Sequence, residues 1–134
     1  MTVDLASVVV RVVLAAIFCT QGFLKTFGPF DRPHGRAASV RLISGHGWPR
    51  PDLLAALLGL SELVFGACVG VGLATRLTAV PLAVIVLLAI VSFKRGQGFI
   101  AGWDWPFAVL GLAVTAVILG SGGVSLDALI GWSI

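Results

Sequence analysis

The chain has very little charge. Of its 134 residues, 11% are Asp, Glu, Lys or Arg and 58% are hydrophobic, with a mean hydropathy of +1.07. Soluble domains carry about 25% charged residues. A soluble chain this apolar could not cover its own surface. The length leaves room for one domain, not for a membrane bundle with a soluble domain attached. Motifs are scarce as well. There is no nucleophile elbow, no glycine-rich nucleotide loop and no haem-attachment pattern, nor any internal repeat or low-complexity tract. Cysteine is limited to Cys19 and Cys68. Both fall inside apolar runs, at depths of about 12 and about 24 Å from one end. A disulfide needs Cα atoms within about 7 Å, so both are expected as free, buried thiols. His34 and His46 stand twelve residues apart in a loop, which is a weak metal pattern, and no metal site is expected.

What is present is apolar length. Four runs stand out: Leu5 to Leu24, Leu53 to Leu73, Leu77 to Phe93 and Trp105 to Leu119. A bilayer-spanning helix takes about 20 apolar residues. The fourth run is short, about 22 Å as a helix, and is expected to extend toward Gly122 or to thin the bilayer. None alternates with period two as a barrel strand does, and in hydrocarbon only a helix satisfies its own backbone. The expected fold is all-α: an integral membrane four-helix bundle with up-down topology and one long loop between the first two spans. The helices are expected at about residues 5–27, 52–73, 77–94 and 104–121, as a single membrane domain over 1–134. No Lys or Arg precedes Arg11, Asp4 sits near the start and no small-residue cleavage site follows. The first run therefore reads as a permanent helix, not a secretory signal.

Charge sorts by loop. Lys25, Arg32, Arg36, Arg41 and Arg50 lie in or beside the first connection, and Lys94 and Arg95 lie in the third. In an up-down bundle these two connections share a side. Arg76 alone marks the opposite connection, and Arg11 lies within the first span. The positive-inside rule puts the basic loops in the cytoplasm and both termini outside. Basic residues spent on topology, with no basic stripe interleaved with aromatics, do not point to nucleic acid. Trp48, Trp103 and Trp105 fall on the same predicted cytoplasmic side. They read as a headgroup belt or as an aromatic rim around a pocket.

The connections carry their own signals. Gly28 and Pro29 end the first span. "RAASVRLIS" between "DRPHG" and "GHGWPRP" fits a short amphipathic interfacial helix, with Val40, Leu42 and Ile43 toward lipid. Asp52 is a candidate cap for the second span and Asp104 for the fourth, with Pro106 suited to a first turn. "LATRLT" is a tight turn. "GGVSLDALIGW" reads as a glycine stop followed by a short capped interfacial turn anchored by Trp132.

The remaining question is where the buried charge goes. Arg11, Leu14, Phe18, Gln21 and Lys25 recur at spacings of three and four, so they share a face of the first span. Ala55, Gly59, Glu62, Gly66 and Gly70 make a matching seam on the second. Gly66 and Gly70 form a small-xxx-small pair that lets another helix come close. A charge at the bilayer centre costs about 2.5–3.5 kcal/mol on insertion scales, so neither face should meet lipid. Measured from the cytoplasmic ends, Glu62 lies about 15 Å up, Gln21 about 9 Å and Arg11 about 24 Å. Arg11 has the reach to meet Glu62, and is the expected counter-charge, with Gln21 below. Arg11, Gln21, Lys25 and Glu62 are thus the candidate polar intramembrane cluster. Trp103, Asp104 and Trp105 form a second candidate set at the entrance to the fourth span. The intramembrane pair reads either as a lock between helices, as a polar lining for a small-molecule pocket, or as part of a proton path.

"QGFLKTFG" (Gln21–Gly28), "LLGLSELVFGACVGVGLATRLTA" (Leu57–Ala79), "GWDWPF" (Gly102–Phe107) and "LGSGGVSLD" (Leu119–Asp127) resemble, in this order, the signature blocks of the DoxX family of small bacterial four-helix membrane proteins. Arg11 and Lys25 match the family pattern. Gln21 stands where the family often has His, and Asp104 matches in type an acidic residue before the last span.

The resemblance implies an accessory membrane subunit that partners a redox or respiratory enzyme in the bacterial cytoplasmic membrane, not catalytic on its own. A quinone or lipid is the implied non-covalent ligand, beside Arg11, Gln21 and Glu62. The partner is a redox or respiratory protein or a second copy of the chain. Two alternatives stay open: the membrane subunit of a thiosulfate:quinone-type oxidoreductase, and a small transporter or lipid-handling protein.

Overall fold

A computed structural model describes residues 1–28 and 35–132 of the chain. Pro29, Arg32 and His34, on which parts of the loop reading rest, lie outside the described residues. The elements are α1 (Thr2–Phe27), α2 (Arg36–Gly45), α3 (Pro51–Val71), α4 (Thr75–Ala89), α5 (Asp104–Leu119) and the short α6 (Leu126–Leu129). Helix α4 continues through a π turn, Ile90–Lys94, and a 3-10 turn, Arg95–Gln97. Among the described residues, four helical segments are long and apolar enough to cross a membrane: Thr2–Phe27, Pro51–Val71, Thr75–Gln97 and Phe99–Leu119.

The four spans form a closed ring. Helix α1 packs most extensively on α3, and α4 on α5, while α3–α4 and α1–α5 contacts close the circle. Every neighbour pair buries part of one core: Leu14 and Phe18 from α1, Val69 from α3, Ala79, Leu82 and Val86 from α4, and Val109, Ala113 and Ala116 from α5. The outer faces keep Val9, Leu60, Val84, Leu87 and Ile118 exposed. That inversion is what a bundle solvated by lipid requires, since lipid tails are as apolar as the core.

Small residues set the α1–α3 distance. A Cβ added at Gly22 would sit 2.5 Å from the Leu63 amide nitrogen and 2.6 Å from the Gly59 carbonyl. One at Gly66 would sit 2.9 Å from Phe18 Cβ, and one at Gly70 would sit 2.8 Å from Ala15 Cβ. The two backbones therefore touch at Gly22 and Gly59. The Gly66–Gly70 pair faces α1.

The helix ends differ in detail from the expected caps. Asp52 is not the N-cap of α3. Arg50 takes that place in a left-handed conformation (φ 49), and Pro51 opens the helix, the position proline suits best. Asp104 is the first residue of α5, not its N-cap. Its Oδ1 accepts from the Trp105 amide at 2.8 Å and its Oδ2 from the Ala101 amide at 3.2 Å. Before it, Phe99–Trp103 is a turn with Ile100 extended and Ala101 left-handed (φ 59). Helix α5 itself has 16 residues, about 24 Å. Helix α6 is capped by Ser125, whose Oγ accepts from the Ala128 amide at 3.1 Å.

Candidate functional site

The buried charges fall into two groups at opposite halves of the bundle, not one. Toward the α2 end, Lys25 Nζ lies 2.7 Å from both Oε1 and Oε2 of Glu62. The Lys25 side chain is 15% exposed and that of Glu62 3%. Lys25 stands in the last turn of α1, where a cation suits the negative end of the helix dipole. Gln21 is half-buried one turn earlier on the same helix.

Arg11 does not pair with Glu62. It is buried, 5% exposed, and donates to four carbonyls. Nε reaches Val69 O at 3.1 Å and Nη2 reaches Gly70 O at 3.1 Å; Nη1 reaches Ser121 O at 2.6 Å and Val124 O at 2.7 Å. Val69 is seven residues beyond Glu62 on α3, about 10 Å further along the axis. The expected pairing failed because of register. It assumed that Phe27 and Asp52 stand at the same level. The close approaches of Ala15 to Gly70 and Phe18 to Gly66, continued along the antiparallel pair, put Phe27 level with Leu57 or Leu58. That slides α1 about five residues, about 8 Å, along α3. Arg11 then falls at the C-terminus of α3. There the last carbonyls of the helix lack intrahelical donors and the dipole favours a cation.

A carboxylate that sequence reasoning missed completes this group. Asp127 is fully buried at 0% exposure. Its Oδ1 accepts from the Ala74 amide at 2.9 Å, and its own amide donates to Gly72 O at 3.1 Å. It thus holds the turn between α3 and α4 from the far end of the chain. Ala74 occupies the left-handed region (φ 46) just before the first turn of α4, where a negative charge is favoured. Gly72 (φ 74) leaves no room for a side chain: a Cβ there would meet Ser125 Cβ at 2.6 Å and Arg11 Nη2 at 2.7 Å. The available signal is the S-L-D triplet that follows Gly122, Gly123 and Val124, which by itself indicates only a capped turn.

Two further bonds tie α1 to the same segment. Ser7 Oγ donates to Gly120 O at 2.8 Å, and Asp4 Oδ1 accepts from the Gly123 amide at 2.7 Å. A recess of about 550 Å³ opens beside Arg11, with Val71, Val124, Leu126 and Leu129 among its walls. It gives Arg11 an apolar-walled approach. It does not reach Glu62.

The candidate set Trp103, Asp104 and Trp105 sits with other aromatics at the α2 end. Trp103 packs edge-on to Phe99 and Phe107, at 4.7 and 5.8 Å between ring centroids. His46 meets Phe93 edge-on at 4.7 Å, and Trp48 lies 6.3 Å from the same ring. Trp105 and Trp48 are exposed. His46 Nδ1 lies 2.8 Å from Leu42 O. Cys19 and Cys68 are both free.

These features define a class: a multi-pass, all-helical membrane protein whose internal charges are spent on holding helices and connections together. The DoxX family model matches residues 6–95, a stretch that contains Arg11, Lys25 and Glu62. The chain belongs to the DoxX family. It is also 24% identical, over 124 residues, to the Bacillus subtilis (strain 168) protein named "Putative oxidoreductase CatD"; the alignment covers 92% of this chain and 86% of that protein. No solved structure matches the chain.

Proposed function

We propose that this protein is an accessory membrane subunit of a redox or respiratory complex in the bacterial cytoplasmic membrane. The observation that carries the reading is how its charged groups are used. Glu62 is closed by Lys25, Arg11 by four carbonyls, and one oxygen of Asp127 by the α3–α4 turn, while its Oδ2 is buried without a hydrogen-bond partner. Such an interior spends its charge mainly on joining helices and connections, which suits a scaffold. Family membership and the name of the Bacillus relative add the redox association. The recess beside Arg11 is the place where a quinone or lipid would make contact, its polar head toward the guanidinium and its body along Val71 and Leu129.

The orientation follows from the loop charges. Arg36, Arg41, Arg50, Lys94 and Arg95 gather at the α2 end, against Arg76 at the other, so the α2 end faces the cytoplasm and residue 1 and the α6 segment face outward.

The test is a purification from native membranes in mild detergent, with and without the gene. A flavin- or haem-bearing partner that elutes with the chain and loses quinone-linked activity in the deletion strain supports the proposal. Quinone reduction by the purified chain alone would replace it with the enzyme reading. Unchanged quinone-linked activity in deletion membranes, with no partner bound, would end the redox assignment.

A further inference from the structure

The α2 end carries five described cations from two separate connections. Arg36 and Arg41 stand on α2 and Arg50 just before α3, while Lys94 and Arg95 follow α4. Packing brings the two connections together. His46 and Trp48, from the α2–α3 link, both contact Phe93, the residue before Lys94. Arg50 follows Trp48 by two residues and Lys94 follows Phe93 directly, so both are carried to this junction; the Lys94 ammonium donates to Gln97 Oε1 at 3.2 Å. None of the five cations forms an ion pair with a described carboxylate; the only ion pair between described side chains is Lys25–Glu62. Of the described carboxylates toward this end, Glu62 is taken by Lys25, and Asp52 and Asp104 do not neutralise five cations. Asp104 spends both oxygens on amides. At the opposite end the position is different: Arg11 is buried against four carbonyls, and Arg76 donates to the Ile118 carbonyl at 3.4 Å.

The patch also has the composition of a membrane interface. Trp48 is 41% exposed and Leu42, on α2, is 44% exposed. Amphipathic rings and half-exposed aliphatics beside cations mark the headgroup level. Two cationic elements that meet at an aromatic hinge suit a ligand with phosphate outside and acyl chain inside.

We propose that the His46–Trp48–Phe93 junction, flanked by Arg41, Arg50, Lys94 and Arg95, is a binding site for the phosphate headgroup of an anionic phospholipid. The cations hold the phosphate, and Trp48 packs on the upper acyl chain.

The test uses the full-length chain, purified in mild detergent and offered equal amounts of phosphatidylglycerol and phosphatidylcholine, with bound lipid counted by native mass spectrometry. The wild type retains phosphatidylglycerol selectively. Each basic residue at an anionic surface contributes about 1 kcal/mol, roughly fivefold, so Arg50→Gln with Lys94→Gln weakens that retention roughly thirtyfold. Arg76→Gln, at the other end, leaves it unchanged. If the first double variant fails to fold, Arg41→Gln with Arg95→Gln gives the same readout. Equal retention of the two lipids by the wild type overturns the proposal. So does a folded variant with undiminished retention, or loss of retention with Arg76→Gln alone.

Discussion

Lys25 Nζ sits 2.7 Å from each carboxylate oxygen of Glu62, across the α1–α3 seam where the two backbones touch at Gly22 and Gly59. The symmetry of that contact has a local cause. Gly59 leaves room for the Lys25 stem, since a Cβ there would lie 2.8 Å from Lys25 Cβ. Removing side-chain bulk on α3 brings the ammonium within reach of a carboxylate one turn further along.

The pair should behave as a unit. Lys25→Met or Glu62→Leu alone strands a buried charge and should cost on the order of 3–5 kcal/mol. The double variant should recover most of it. Arg11→Leu with Glu62→Leu should not, because Arg11 serves other atoms. Thermal unfolding in detergent distinguishes the two double variants. Equal recovery in both would contradict the pairing.

Arg11 should resist conservative replacement. Lysine offers a point charge where arginine offers a fork, and cannot reach carbonyls on α3 and on residues 121 and 124 together. Arg11→Lys should therefore loosen the segment after α5 while the spans stay helical. Limited proteolysis would show it as faster cleavage near Val124, against an unchanged far-UV spectrum. A cleavage pattern like that of the parent would show that the four bonds are not what holds the segment.

Close packing makes a third prediction. Gly22→Ala places a methyl 2.5 Å from backbone, and backbone cannot step aside as a side chain can. A cost of about 1–3 kcal/mol is expected from overpacking. Gly111→Ala is the control, since nothing lies within 4 Å of a Cβ there. Equal melting temperatures for the two variants would mean that α1 and α3 stand further apart.

Topology can be read by labelling. Ser44 and Val124 are exposed at opposite ends. In a chain with Cys19 and Cys68 replaced by Ala, an impermeant maleimide should reach Val124→Cys in intact cells. It should reach Ser44→Cys only after permeabilisation. The reverse pattern would invert the proposed orientation.

The spans were legible because their signal is bulk apolarity, which depends on no partner. The α2 helix was legible from the amphipathic pattern of "RAASVRLIS", but Ile43, expected toward lipid, is 5% exposed and turns inward as α2 packs on α3. Glycine spacing marked the seam of α3, and Gly66 and Gly70 do meet α1. Which charges meet was not legible, because it depends on the sliding register of two helices. An error of five residues exchanged Arg11 for Lys25 as the partner of Glu62. Asp127 was hidden for a different reason. Its partner is the amide of Ala74, a backbone group that leaves no mark in the sequence. The irregular ends of α4 and α5 were also missed, since the π turn at Ile90–Lys94 and the left-handed Ala101 arise from how the link folds back on itself.

The bonds from Arg11 to Ser121 and Val124 span 110 and 113 positions, and this sets an order of events during synthesis. Arg11 enters the membrane before any of its four acceptors has left the ribosome. The carbonyls of Val69 and Gly70 become available only when α3 is in place, and those of Ser121 and Val124 only when α5 has been threaded. The first helix must therefore wait with an unsatisfied cation, sheltered by the insertion machinery or held at the lipid surface. A nascent chain halted after α3 should retain α1 near that machinery longer than the full-length chain after its release from the ribosome, and site-specific crosslinking from α1 would time the release.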